Sequence, residues 1–435
     1  MTSYAGLTVF QRLFAVLDLR ARLRGCFAHM KVQTLFGLPV VVLLLVVHLL
    51  LGFRRLRSLE FYDHDPLVRR VLGLRRLPDV STVSRALASV DELGVQNLQA
   101  LSRVLVTDRL AAEGLGRLTL DFDGSVQSTK GHAEGTAVGF NKKKKGARSY
   151  YPLFCTVAQT GQFFDVLHRS GNVHDSNGAE QFIGECIENA RCACPDATLE
   201  ARLDSAFFSD PIIDCLDSEL VAFTCSVAFE RFPELKVEIE QRKRWHRIDS
   251  EWSFFERRWK PKSWTDEYRF LFVRRRRAVQ IKGPLQLDLF EPRQYEYEYK
   301  VVVTNRLDEP AADIVRFHNG RGSQEKIFGE AKQHAALDLV AVRRRRANQV
   351  FTLAGMLAHN LGRELQMRTY EPDRADEPKR PPLWKFAALG TLRQRILHTA
   401  GLLVRPQGRL TLRVSDAPSI RREFTDYLEA LHKAA

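Results

Sequence analysis

The sequence predicts an α/β chain: a mixed sheet with flanking helices, preceded by an N-terminal helical domain and interrupted by a β-rich insertion. Three observations predict it. Apolar residues recur at helical spacing from the start, at Phe10, Leu13, Val16 and Leu17, and helical patterning continues to residue 113. Between 117 and 228, short alternating runs follow in the order strand, strand, strand, helix, strand, helix, strand. Between 230 and 305, Trp, Phe, Tyr and Arg crowd together, and Tyr295, Tyr297 and Tyr299 alternate with Glu.

Each element has its own signal. The apolar run Leu35 to Phe53 is long enough to span a bilayer, but Gly37, Pro39 and His48 interrupt it, so a buried helix is the expectation. Asp65-Pro starts a helix that Gly73 ends. Pro78 stops one element, and Asp79 or Ser81 caps the next. Helix, short turn and a Ser/Thr/Arg-bearing helix outline a helix-turn-helix, although a plain helical hairpin gives the same pattern. Arg117 to Val126 is the first strand, with Leu118, Leu120 and Phe122 alternating. Tyr150 to Ala158 and Gln162 to His168 follow, joined by the turn Gln159-Thr160-Gly161. Gly178 to Ala193 is an amphipathic helix, Ala197 to Asp204 a strand, Asp210 to Leu220 a helix and Val221 to Val227 a strand. Three meandering strands followed by helix, strand, helix and strand is the order of a ribonuclease H-like sheet. The chain turns helical again from Glu309, and two helices are expected to close it after a polar stretch from Glu371 to Pro382. The expected divisions are 1–113 (helical, DNA-binding), 114–229 (core, first part), 230–305 (insertion), 306–370 (core, second part) and 371–435 (C-terminal helical segment).

Composition narrows the function classes. Lys and Arg number 66 against 52 Asp and Glu, a net charge of +14. That surplus favours a polyanionic partner, usually nucleic acid, with an anionic membrane as the rival. Seven scattered Cys, without Cys-x-x-Cys spacing or paired His, read as reduced thiols of a cytoplasmic protein rather than a zinc site.

Three carboxylates stand out by position. Asp123 ends the first strand, Asp204 ends the strand expected beside it, and Glu325 lies on the helix after the insertion. Three ionised carboxylates brought together repel, and divalent cations remove that penalty. Two Mg²⁺ (or Mn²⁺) ions about 4 Å apart would activate a water or a 3′-hydroxyl and stabilise the leaving oxygen. Arg321, Glu325 and Lys332 fall on one helical face, because eleven residues return within roughly 20° of the start. Glu330 lies roughly 140° off that face. Asp121, two residues before Asp123, competes with it because both side chains share one face of the strand. A surface salt-bridge ladder would give the same helical spacing. Three basic runs, Lys142 to Lys145, Arg274 to Arg277 and Arg343 to Arg346, suit phosphate contacts or solvated surface. Lys143, Arg344 and Arg345 are the candidates taken from them. Trp245, Trp252, Trp259 and Trp264 suit a core more than a base-stacking surface.

The segments Leu120-Asp-Phe-Asp-Gly-Ser-Val126, Arg202-Leu-Asp-Ser-Ala-Phe-Phe208 and His318-Asn-Gly-Arg-Gly-Ser-Gln-Glu325 resemble bacterial insertion-sequence transposases of the DDE type. The branch resembled carries a β-rich insertion between the second Asp and the Glu. The resemblance implies Asp123, Asp204 and Glu325 as the catalytic, metal-binding triad. It also implies a Tyr-x-x-Arg-x-x-x-Glu-x6-Lys signature, met here by Arg321, Glu325 and Lys332, with His318 in place of the Tyr and expected to contact DNA. It further implies double-stranded DNA as partner (element ends and target), a homodimer or larger synaptic assembly, and work at the bacterial nucleoid rather than a membrane. A transposase-derived DNA-binding protein that has lost cleavage is the alternative.

Overall fold

The structure is a computed structural model that describes residues 1–30, 36–139, 144–174, 177–278, 295–375 and 377–433. It opens with α1 (Leu7–Val16), α2 (Leu19–Cys26), α3 (Leu38–Leu50), α4 (Pro66–Leu72), α5 (Val80–Ala88) and α6 (Glu92–Glu113). The apolar run becomes α3; its first residue, Leu35, lies outside the described residues. Val41 to Leu51 are all buried, which explains why the helix is apolar on every side. Its one polar member, His48, is satisfied by the Tyr62 hydroxyl at 2.7 Å and the Arg55 carbonyl at 3.1 Å. Burial lowers the His48 pKa to about 4, so the ring is neutral. No described helix is long and apolar enough to cross a membrane. Asp65 caps α4 by accepting from the amides of Leu67 and Val68, and Gly73 ends it at φ 71°. Asp79 caps α5 through the Thr82 amide.

The central strand is β1 (Arg117–Gly124). A small sheet of β2 (Gln127–Ser128), β3 (Ala137–Val138) and β4 (Arg148–Tyr150) branches from its end. Then come β5 (Leu153–Val157), β6 (Gln162–Leu167), α7 (Ala179–Ala193), β7 (Thr198–Leu203), α8 (Asp210–Ser218) and β8 (Ala222–Val227). The insertion supplies α9 (Pro233–Gln241), β9 (His246–Arg247), β10 (Trp252–Trp259), β11 (Tyr268–Ala278) and β12 (Tyr295–Thr304). The nine strands of the main sheet run β6-β5-β1-β7-β8-β12-β11-β10-β9. β1 is antiparallel to β5 and parallel to β7, which is parallel to β8, the pairing expected of a ribonuclease H-like sheet. The insertion is not a separate sheet. Val301 to Thr304 pair antiparallel with Val227 to Thr224, so its strands prolong the catalytic sheet.

After the sheet come α10 (Ala311–Asn319), α11 (Gly322–His334), α12 (Arg345–Thr369) and the short α13 (Leu389–Leu392). After the polar stretch the two helices α13 and α14 (Pro418–Lys433) are separated by an unexpected hairpin of β13 (Gly401–Val404) and β14 (Thr411–Val414). Gly401 at its start exchanges backbone hydrogen bonds of 2.8 and 2.9 Å with Thr2, tying the two chain ends together.

Hydrophobic clusters on both faces hold the sheet, with a smaller one packing Leu271 and Val273 of β11 against α10. Leu118, Leu120 and Phe122 pack with α7, α8 and the aromatic residues of the insertion, including Trp259 and Trp264. The opposite side is covered by α11 and α12, whose apolar residues share one cluster with α1–α6 and α14. The N-terminal helices are therefore built into the body of the protein. Alternation along β1 sends Asp121 and Asp123 to the face away from Leu120 and Phe122.

Candidate active site

The parallel pairing of β1 and β7 runs up to Asp121 and Arg202, and Asp123 and Asp204 each follow that pair by two residues, at the same end of the sheet. Adjacent strands lie ~4.8 Å apart, and residues paired across them share a face. Asp204 sits just past β7, where its carboxylate accepts the Ala206 amide at 2.9 Å and caps a short 3-10 turn. Both carboxylates are partly exposed.

Helix α11 faces them. Its buried Gln324 donates to the Asp121 carbonyl at 2.8 Å and to the Thr156 hydroxyl at 3.0 Å. That pins the first turn of the helix onto β1 and β5. Glu325 is the next residue, with an exposed side chain. The Arg321 guanidinium, at the start of the helix, lies 3.6 Å from the Asp123 carboxylate. Lys332 lies further along the same helix, with its ammonium 5.5 Å above the Phe328 ring.

Asp121 does different work. Its carboxylate takes both arms of Arg202, from Nε at 2.5 Å and Nη2 at 2.7 Å, with both side chains fully buried. The remaining arm of Arg202 donates to the carbonyls of Phe317 at 3.1 Å and Lys379 at 2.9 Å. One guanidinium thus joins β1, the end of α10 and the segment after α12. Any side chain at Gly320 would overlap the Lys379 carbonyl and the Arg202 guanidinium, so that turn requires glycine. Next to this hub, Glu200 on β7 accepts from Thr119 at 2.7 Å and Arg380 at 2.9 and 3.0 Å, with Arg306 at 2.9 Å. Burial would raise the Glu200 pKa, but the Arg380 hydrogen bonds and the Arg306 charge outweigh it and hold it at about 2.

His318 is corrected. It does not reach a DNA-facing surface: it is 4 % exposed, with Nδ1 3.0 Å from the Thr224 hydroxyl and Nε2 2.8 Å from the Ser226 hydroxyl. Burial, together with Arg321, Lys300 and Arg202 nearby, pushes its pKa well below the usual histidine range. A neutral imidazole can donate to one hydroxyl and accept from the other, so His318 pegs α10 to β8.

The model of the family transposase DDE domain group 1 matches residues 1–435. The chain belongs to this transposase family. No curated protein sequence matches it. A solved structure, the cryo-EM structure of the piggyBac transposase synaptic complex with hairpin DNA, is similar at 10 % identity and a TM-score of 0.41, covering 99 % of this chain and 85 % of that one.

In this transposase, the three carboxylates are hard oxygen donors with solvent access, the chemistry that suits Mg²⁺ or Mn²⁺. Among the described residues, however, no three His, Cys, Asp or Glu side chains lie close enough together to hold a metal. Of the other basic candidates, Arg344 is 71 % exposed and lies 3.9 Å from Glu134. Arg345 donates to the His168 carbonyl at 3.3 Å. Lys143 lies outside the described residues. The run Arg274 to Arg277 is largely occupied within the insertion: Arg274 stacks on Trp245 and Tyr297, Arg275 pairs with Glu251 and Arg277 with Glu298. The residues that sequence reasoning missed are Arg202, Gln324 and Gly320. The one available signal was that Arg202 stands two residues before Asp204, as Asp121 does before Asp123.

Proposed function

We propose that this protein is the DNA transposase of an insertion sequence, which binds the element's terminal inverted repeats, cuts at the ends and joins the 3′-hydroxyls to target DNA. The observation that supports it best is that Asp123 and Asp204 each follow the last paired residues of β1 and β7 by two, and that Arg321, on the helix pinned to β1 by Gln324, lies 3.6 Å from Asp123. Asp123, Asp204 and Glu325 would be the residues to hold two Mg²⁺ (or Mn²⁺) ions, and such ions would supply an activated oxygen nucleophile and stabilise the leaving oxygen. Arg321, beside Asp123, takes the phosphate next to the scissile bond, and Lys332 extends that cationic face. Arg344, Arg345 and Lys143 neutralise phosphates of the flanking duplex. Two ends must be held at once, so the working form is a homodimer or larger.

One observation favours the alternative, a DNA-binding protein that has lost cleavage: the three carboxylates do not converge. The deciding experiment incubates the protein with DNA carrying the flanking element ends, with and without Mg²⁺, and maps the cuts. Asp204→Asn removes a metal ligand and no phosphate contact. Cleavage is expected to vanish while end binding stays within a few-fold. Mg²⁺-dependent cutting by this variant would remove Asp204 from the site, and no cutting by the unaltered protein would favour the alternative.

A further inference from the structure

A cavity of about 410 Å³ lies between the insertion and the segment after α12. It is lined by Trp252 from β10, Arg275 and Arg277 from β11, Glu298 and Lys300 from β12, Asn319 at the end of α10, and Lys379. Four cations thus face one acid. Glu298 pairs with Arg277 at 2.5 Å, and Arg275 is held by Glu251 at 2.9 Å. Lys300 and Lys379 make no ion pair within 4.0 Å among the described residues, and they reach the cavity from different elements, β12 and the segment after α12. Two ammonium groups in one concave site create a positive field that an anion relieves.

The position of Lys379 is built rather than accidental. Its carbonyl accepts from Arg202 at 2.9 Å, and that guanidinium also grips Asp121, two residues before Asp123. The same carbonyl lies against Gly320, in the turn that carries the chain to Arg321 and Glu325. On the other side, Lys300 lies within electrostatic reach of Arg321 and Glu325. The cavity is therefore held at a fixed place relative to the proposed catalytic groups. Its volume is that of a site for a small ligand, about 300–1,000 Å³, and too small to admit a double helix.

We propose that this cavity binds phosphate groups of a single-stranded DNA end beside the scissile bond, with Lys300 and Lys379 closing on them from two sides. The proposal rests on the reading that Asp123, Asp204 and Glu325 act on DNA. It predicts that the insertion and the segment after α12 together hold a strand that has separated from its complement.

The test is binding, without Mg²⁺, of a fluorescein-labelled blunt duplex and of the same duplex carrying a four-nucleotide single-stranded extension, over a range of salt. For the unaltered protein the extension is expected to tighten binding and to steepen the log affinity against log salt slope by about 1.4, two contacts at about 0.7 each for single strands. Both lysine side chains are exposed, so a Lys300→Gln/Lys379→Gln variant is expected to fold with an unchanged thermal midpoint. It should bind the blunt duplex as the unaltered protein does and gain nothing from the extension. An equal gain by the variant, or no gain by the unaltered protein, overturns the proposal. An unaltered protein that binds neither duplex overturns the DNA reading of the whole site, a result distinct from losing the extension effect alone.

Discussion

Replacing Asp121 by Asn removes one charge from a pair that no water reaches. Arg202 and Asp121 are both fully buried, with two hydrogen bonds of 2.5 and 2.7 Å between them. In the variant, the guanidinium keeps the Phe317 and Lys379 carbonyls but loses its counter-charge. Breaking a buried pair by removing one partner costs about 3–5 kcal/mol, because the other charge stays buried. Asp123→Asn is the contrast two residues away. Its pair with Arg321 is 3.6 Å long, and the side chains are 24 % and 21 % exposed. Such a pair contributes about 0–1 kcal/mol. Asp123→Asn is thus expected to unfold in urea close to the unaltered protein, yet to lose cleavage by at least about a thousandfold, equivalent to about 4 kcal/mol of transition-state stabilisation. Asp121→Asn is expected to lose stability, and to lose less cleavage when assayed well below its unfolding midpoint. A combined Asp121→Ala/Arg202→Ala variant should cost less than the two single changes added together, by about 0.5–3 kcal/mol. The reasoning fails if Asp121→Asn is as stable as the unaltered protein, or if cleavage is lost with Asp121→Asn and kept with Asp123→Asn.

Glu330→Gln is expected to destabilise by about 3 kcal/mol in urea unfolding, since Glu330 pairs with buried Arg363 and accepts the Leu389 amide at 2.9 Å; an unchanged midpoint would refute this. Leu44→Ala should cost about 2–5 kcal/mol, because Leu44 is 0 % exposed at the centre of α3, and a smaller loss would mean the helix is less enclosed than described. Glu200 has a folded pKa of about 2 against an ordinary 4.5, so its contribution is complete above about 4.5 and is lost as pH falls towards 2. The size is about 3 kcal/mol at 1.36 kcal/mol per unit, and Glu200→Gln should show a smaller drop in stability between about pH 5 and 3 than the unaltered protein.

Much of this was legible because local chemistry and tertiary structure agree. Alternation at Leu118, Leu120 and Phe122 marks one side of β1, and the structure buries that side. Asp65, Gly73 and Asp79 mark helix ends by their own hydrogen-bonding and backbone properties, with no need of distant partners. What stayed hidden depends on residues far apart in sequence. The pairing of Asp121 with Arg202 needs β1 and β7 aligned in register, and the carbonyls of Phe317 and Lys379 carry no side-chain signal at all. The helical spacing of Arg321, Glu325 and Lys332 was readable, but the burial of His318 under Arg321 was not, since it depends on Thr224 and Ser226 of β8. The insertion was recognisable by composition, whereas its fusion to the main sheet rests on the register of β12 with β8.

Why two aspartates on one face of one strand should differ so much follows from depth along the strand. Two residues advance ~6.6 Å, at ~3.3 Å each. Asp121 lies under the start of α11, where Gln324 seals its carbonyl and Arg202 neutralises its charge. Asp123 lies beyond that cover, where the sheet ends, with the Arg321 guanidinium 3.6 Å away. The inner aspartate can spend its charge on the fold because it has a fixed, dry partner. The outer one meets a partly exposed cation 3.6 Å away, and a partner of that kind can exchange for a phosphate. The same argument extends to the helix: Gln324 faces inward and anchors, while Glu325, one residue on, is turned by about 100° and exposed. Buried positions therefore fix the distances, and the exposed neighbours of each are left available for chemistry.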